Sequence, residues 1–189
     1  AACGPTVSAH AYSQAEADAA VDEITQMIAL KEAEFAEPLL QPDDAVVEAM
    51  SLAAAAAKPI VVADTQDNPG CGGSGDTVGM LSALVARDAR NTLFGVVCDG
   101  DAAHAAHTAG VGAELELDLG GRPDLPGVEP FKGRFRVEVI NDGNYQTTGP
   151  VSQGKPYSVG PSALLSIGGI KVAISSHRVQ ALDRSVFEH

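Results

Sequence analysis

Tryptophan is absent from this sequence, and aromatic side chains are scarce throughout, with three tyrosines and five phenylalanines in 189 residues. A core therefore has to be built from Val, Ile, Leu and abundant Ala, which favours close packing of helices on a sheet. Basic residues are also few: 12 Lys and Arg face 25 Asp and Glu, a formal net charge of −13. Binding to nucleic acid or to an anionic membrane depends on clustered cations that displace counterions, so neither partner is expected. The three cysteines, Cys3, Cys71 and Cys98, form no CxxC pair and imply reduced thiols in a cytoplasmic protein rather than a disulfide frame. No apolar run approaches the ~20 residues that a membrane helix needs. With 45% hydrophobic residues the chain can nevertheless bury one core, so residues 1–189 are expected to form a single domain.

The start, AACGPTV, lacks an initiator Met and the basic and apolar regions of a signal peptide, and is expected to belong to a fragment of a longer chain. Ser13-Gln14-Ala15-Glu16 has the pattern of a capping box. Ala17, Val21, Ile24, Ile28 and Phe35 then recur near a helical period, predicting a long helix with one buried face that Pro38 ends. A second helix is expected to open at Pro42, with Asp43 and Asp44 in its first turn, and to run into the alanine tract Ala53 to Ala57. Pro59-Ile60-Val61-Val62-Ala63 is a short apolar run without polar alternation, as in a parallel strand covered on both faces.

After a glycine-rich loop, Thr77 to Arg87 is predicted helical, Asn91 to Cys98 a second buried strand, and Asp101 to Ala109 a short helix stopped by Gly110. In GAELELDL, Leu115, Leu117 and Leu119 alternate with acids, so that strand has one wet face. Successive strand, helix, strand units imply right-handed crossovers. From Gly120 onward the pattern changes to strands over 131–140, 163–167 and 170–175, with a turn at Asn141-Asp142-Gly143-Asn144, and a short helix near Asp183 to Phe187. The expected fold is α/β: a short parallel βαβαβ core extended by antiparallel strands into a mixed sheet, with the N-terminal helices packed on it.

The loop ADTQDNPGCGGSGDT, residues 63–77, is the densest functional candidate. Gly70, Gly72 and Gly75 satisfy G-x-G-x-x-G, and Asp99 ends the next strand near the place of a ribose-binding acid, which suggests a Rossmann-like nucleotide-binding module. Two features oppose this: Asp64 to Pro69 separates the strand from the first glycine, and Asp76 stands where a Walker lysine would. At ~4 Å and an effective dielectric near 20, such a misplaced charge costs about 4 kcal/mol. The acids themselves are then the working groups, as oxygen ligands for a divalent metal or as acceptors for peptide N–H groups. The alternative is a structural loop, with Asp76 capping the next helix, Asp67 and Asn68 making side-chain turns, and glycines supplying positive φ.

Three further clusters carry less. His104 and His107, three apart on a helix, lack a third ligand nearby. Cys71 has no assignable base. In SSHRVQALD, residues 175–183, Arg178 can grip a carboxylate and Gln180 can read an amide, whereas a Ser, His, Asp triad fails because adjacent strand residues point to opposite faces.

PIVVADTQDNPGCGGSGDT closely resembles the strand, DNPGGG loop and helix start of the C-terminal region of the microcystinase C (MlrC) family of zinc metallopeptidases. CGPTV, the alanine-rich helix, GAELELDLGG, Gly149-Pro150 and SSHRVQALD support the resemblance, while Cys71 stands where the family usually has glycine. It implies the C-terminal part of a zinc-dependent peptidase or amidohydrolase acting on small linear peptides, with zinc held by an N-terminal metal-binding domain outside this chain and no metal ligand within it. Asp67, Asn68, Gly70, Gly72, Gly73, Asp76, Arg178 and Gln180 would then lie near substrate, on one wall of the cleft. Such a chain would be inactive alone, and the complete protein a possible homo-oligomer.

Overall fold

A computed structural model describes residues 6–36, 39–121 and 128–188. The chain divides into two units, Ala1–Leu39 and Leu40–His189. The first is built on helix α1, Gln14–Leu30, which opens on the expected capping box: the Ser13 amide donates to the Glu16 carboxylate at 3.1 Å, and the Glu16 amide to the Ser13 hydroxyl at 3.3 Å. A 3-10 turn, Glu32–Phe35, follows. Contrary to expectation, α1 buries none of its residues. Pro38, expected to end the helix, lies outside the described residues.

In the second unit, helix α2, Pro42–Ala53, packs on helix α3, Gly79–Ala86, and buries Ala45 and Val46. It stops at Ala53, short of the expected extension, and the rest of the alanine tract is exposed. Five strands form the main sheet: β1 Arg90–Cys98, β2 Glu114–Leu119, β3 Phe131–Asn141, β6 Ser162–Ile167 and β7 Gly169–Ser175. Two short strands, β4 Asn144–Gln146 and β5 Pro156–Ser158, pair separately. Between β1 and β2 runs helix α4, Gly100–Ala109, which ends at Gly110 as predicted.

The sheet order is β1-β7-β6-β3-β2. The mixed α/β class is as expected, and its parallel part is smaller than expected. Only β1 and β7 are parallel, and the remaining pairs are antiparallel. Residues 59–63 join no ladder, and Val61 is 88% exposed. β1 is consequently an edge strand, half exposed along its length rather than buried. The same β-branched composition that suggested a covered strand is compatible with any extended segment, because period and length do not say which neighbour pairs with it.

The core lies on the sheet face covered by α3 and α4, where Leu81, Ala103, Ala106, Phe135, Val137, Leu165 and Val172 are fully buried. Small alanines on α4 let the helix approach the sheet closely, as the composition implied. β2 shows the expected alternation, with its leucines inward and its acids outward. A register shift in β3 between Val137 and Val139 marks a bulge, a feature that bends a strand and increases its twist. The residues after β1 and β2 meet: the Gly120 amide donates to the Asp99 carboxylate at 2.9 Å, and the Gly121 amide to the Asp76 carbonyl at 2.7 Å. Asp99 also caps α4 by accepting from the Ala102 amide at 3.0 Å. This junction supports the glycine loop from below.

Candidate functional site

The loop over 64–78 is folded around two of its own side chains. One oxygen of Asp67 accepts from the amides of Asp76 at 2.9 Å and Thr77 at 3.1 Å and from the Ser74 hydroxyl at 3.2 Å. Burial pushes the Asp67 carboxyl up, but the amides of Gly75, Thr77 and Asp76 and the Ser74 hydroxyl together outweigh it, leaving the group below the ordinary carboxylate range. Asn68 organises the other half. Its side-chain oxygen accepts from the Gly70 amide at 2.8 Å, and its carbonyl accepts from the Cys71 and Gly73 amides, each at 2.9 Å.

Two glycines are required for space. A side chain on Gly73 would collide with the Asp67 carboxylate and the Asn68 backbone, and one on Gly70 would collide with the Gln180 side-chain amide. Gly72, at φ 94°, and Gly75, at φ 74°, occupy the left-handed region that favours glycine. The expectation that Asp76 caps the following helix is not met. Val78 holds that position without a side-chain bond, and Asp76 is buried instead.

These bonds decide between the loop's possible ligands. An anion-binding loop needs backbone N–H groups aimed at the phosphate. Here the amides of Gly70, Cys71 and Gly73 are engaged by Asn68, and those of Asp76 and Thr77 by Asp67. An internal carboxylate thus holds donors that a nucleotide would require. With no strand assigned over 59–63 to lead into the loop, the G-x-G-x-x-G match has lost its structural context.

Beside the loop lies a cleft of about 360 Å³, lined by Asp64, Asp67, Asn68, Phe94, Val97 and Gln180 among others. Three of the eight residues expected near substrate, Asp67, Asn68 and Gln180, share this wall. Gly70 lies under Gln180, Gly73 under Asp67, and Asp76 beneath the loop. Gly72 has open space around it. Arg178 does not line the cleft, but its charge reaches Cys98 at the end of β1. A second cavity of about 440 Å³ lies against Leu93, Val139, Leu164 and Ala173 of the sheet and Phe187 of the C-terminal turn, and contains none of the eight.

Cys98 was not singled out by sequence reasoning as part of the site, yet its amide donates to the Gly75 carbonyl at 2.7 Å and ties the loop to β1. Burial raises its thiol pKa, and the charges of Asp76 and Asp99 raise it further, against an opposing influence from Arg178. This shift favours the neutral thiol over the nucleophilic thiolate. Asp183 was likewise missed as an anchor. It accepts from the amides of Thr148 at 3.0 Å, Gly149 at 2.5 Å and Ser185 at 2.9 Å, and these donors hold its carboxyl far below the usual range. Only the pairing of Gly149-Pro150 with SSHRVQALD among the recognisable segments hinted at that connection.

No triad forms. The Ser175 hydroxyl donates to the His177 carbonyl at 3.1 Å, and Asp183 is engaged by Thr148, Gly149 and Ser185. His107 is within 3.0 Å of the Ser162 carbonyl, and His104 is exposed. Among the described residues no three His, Cys, Asp or Glu side chains gather where they could hold a metal ion. Nor is any described helix long and apolar enough to cross a membrane.

The family description "MlrC C-terminus" matches residues 62–189. The chain belongs to the MlrC C-terminal family. Microcystinase C from Sphingomonas sp. is 28% identical over 134 residues, which make up 71% of this chain and 26% of that protein. A crystal structure of a "Putative metallopeptidase" from Mesorhizobium sp. BNC1 shares the fold at a TM-score of 0.78 and 21% identity, covering 91% of this chain and 34% of the other. The MlrC C-terminal chain therefore spans about a quarter to a third of the length of these relatives. The glycine loop, the cleft and the Asp183 anchor all fall within the matched residues.

Proposed function

We propose that this chain is the C-terminal part of an MlrC-like, metal-dependent peptidase or amidohydrolase, and that it supplies one wall of a cleft that accepts a small linear peptide. The observation that carries this proposal is the braced loop. In a chain of the MlrC C-terminal family, Asp67 and Asn68 hold a polar bend rigid at one side of a cleft of about 360 Å³, a size suited to a small ligand. Rigid positioning of a substrate is itself a contribution to catalysis, because it removes orientational freedom before the reaction.

The chain's own residues would bind and orient. Asn68 and Gln180 line the cleft and would offer amide groups that match a peptide bond, while Arg178, outside that lining, would act on a substrate carboxylate only where the substrate extends beyond the cleft. Zinc is proposed to reside in an N-terminal metal-binding domain of the complete protein, where it would act as a Lewis acid. The 189-residue chain is then inactive alone.

Hydrolysis of a panel of short linear peptides by the complete protein and by this chain tests the proposal. Turnover by the complete protein that a chelator abolishes and zinc restores is expected, with none from the shorter chain. Chelator-insensitive turnover, or full activity from the shorter chain, would overturn it.

A further inference from the structure

Five consecutive residues of β1, Leu93, Phe94, Gly95, Val96 and Val97, line the cleft beside the glycine loop. Side chains of a strand alternate between its two faces, so a cleft that met one face would be lined by every second residue. An unbroken run means that the cleft follows the strand's edge. β1 is the outermost strand of the sheet, next to β7. Away from β7, its Cys98 amide is tied to the Gly75 carbonyl at 2.7 Å. Among the described residues, no backbone hydrogen bond joins residues 93–97 to residues 62–64, which line the same cleft.

The same stretch of β1 is bulged. Between the pairs Phe94 with Val172 and Val97 with Ile174, two residues of β1 oppose one of β7. Such a bulge leaves a residue outside the ladder, and bulges are over-represented at sheet edges and next to active sites. An open edge presents a row of main-chain N–H and C=O groups, on which an extended peptide can add as a further strand.

We propose that a linear peptide substrate binds in this way, as a strand added to the free edge of β1. The proposal rests on the peptidase reading above and specifies how that substrate is held, with its main chain setting affinity and register. At about 3.3 Å per residue, residues 93–97 run roughly 15 Å, the reach of a peptide of about four or five residues. The bond from Cys98 to Gly75 closes the edge at one end. Every residue lining the cleft belongs to the second unit, Leu40–His189, so its walls are complete without the first. A single extended chain fits between the loop and β1, whereas a second copy would bring a whole sheet and a like net charge of −13 to the same gap.

The complete protein, treated with a chelator so that peptide survives, is titrated with the pentapeptide Ala-Ala-Phe-Ala-Ala and with versions N-methylated at one amide each. An added strand turns every second amide towards its neighbour. Methylation at one alternating set should therefore weaken binding at least about tenfold, and at the intervening amides less than about twofold. At ten times the Kd, hydrogen exchange should slow about tenfold at those amides of residues 93–97 that exchange freely without peptide, with β6 unchanged. Absence of binding, equal losses at adjacent amides, or unchanged exchange in β1 would overturn the proposal. So would a free protein in which none of the five amides exchanges freely, because the edge is then already occupied. Turnover of the short-peptide panel judges the peptidase reading separately: turnover without alternation overturns the strand pairing and leaves that reading intact, and loss of both turnover and binding removes both.

Discussion

The side-chain amide of Gln180 packs directly over Gly70, so that no side chain fits at that position without moving it. The segment after β7 and the glycine loop, 110 positions apart, thereby form one wall. Gly73 differs in kind, because its close neighbours include the Asn68 backbone as well as the Asp67 carboxylate. A flexible amide can swing aside, whereas main chain cannot. Gly70→Ala should therefore cost less than about 1 kcal/mol, and Gly73→Ala about 1–3 kcal/mol. Urea unfolding measures both. Combining Gly70→Ala with Gln180→Ala should restore the loss from the first, and equal losses at the two glycines would count against this geometry.

Asp67 makes loop stability depend on pH. Its folded pKa lies below the ordinary value of 3.8, so on acidification the unfolded chain takes up the proton first. The stabilisation is present above about pH 4 and is lost as pH falls through the depressed folded value. Asp67→Asn, which removes the charge from three hydrogen bonds, should cost about 1–3 kcal/mol at neutral pH. Denaturation across pH 2–7 should show the difference between wild type and variant shrinking below about pH 4. A constant difference would show that the charge does not matter.

The two described cysteines should react at different rates. Cys71 is exposed on the loop, while Cys98 is partly buried, with its thiol pKa raised by burial and by Asp76 and Asp99. Alkylation near pH 8 followed by peptide mapping should modify Cys71 at least about tenfold faster than Cys98 in the native protein. Equal rates in folded protein would contradict the position of Cys98 beneath the loop.

Asp183 joins the turn at Thr148 and Gly149 to the C-terminal 3-10 turn, Arg184–Phe187. Asp183→Ala should accelerate hydrogen exchange at the amides of Thr148, Gly149 and Ser185 while leaving β1 and β7 protected. Asp183→Asn, which keeps an acceptor oxygen, should have a smaller effect. Unchanged exchange in both variants would remove Asp183 from that role.

Local signals in the sequence predicted local structure well. The Ser13 and Glu16 box, the stop at Gly110, the alternating leucines of β2 and the turn at 141–144 are each formed by neighbours in sequence, and their side chains are sufficient to specify them. The loop's membership of a DNPG motif was legible for the same reason. What failed depended on distant partners. The run over 59–63 has strand composition and joins no ladder, and the alanine tract outlasts its helix.

The sequence by itself determined the chain's composition-driven core, its mixed helix and strand content and its family, because these depend on residue type and short-range spacing. Only the tertiary structure decided that β1 pairs with β7, that Gly120 meets Asp99, and that Gln180 closes over Gly70. Each of those contacts joins segments separated by many residues. Their geometry depends on how the sheet pairs and on which amides Asp67 and Asn68 accept from, and no periodicity along the chain encodes it.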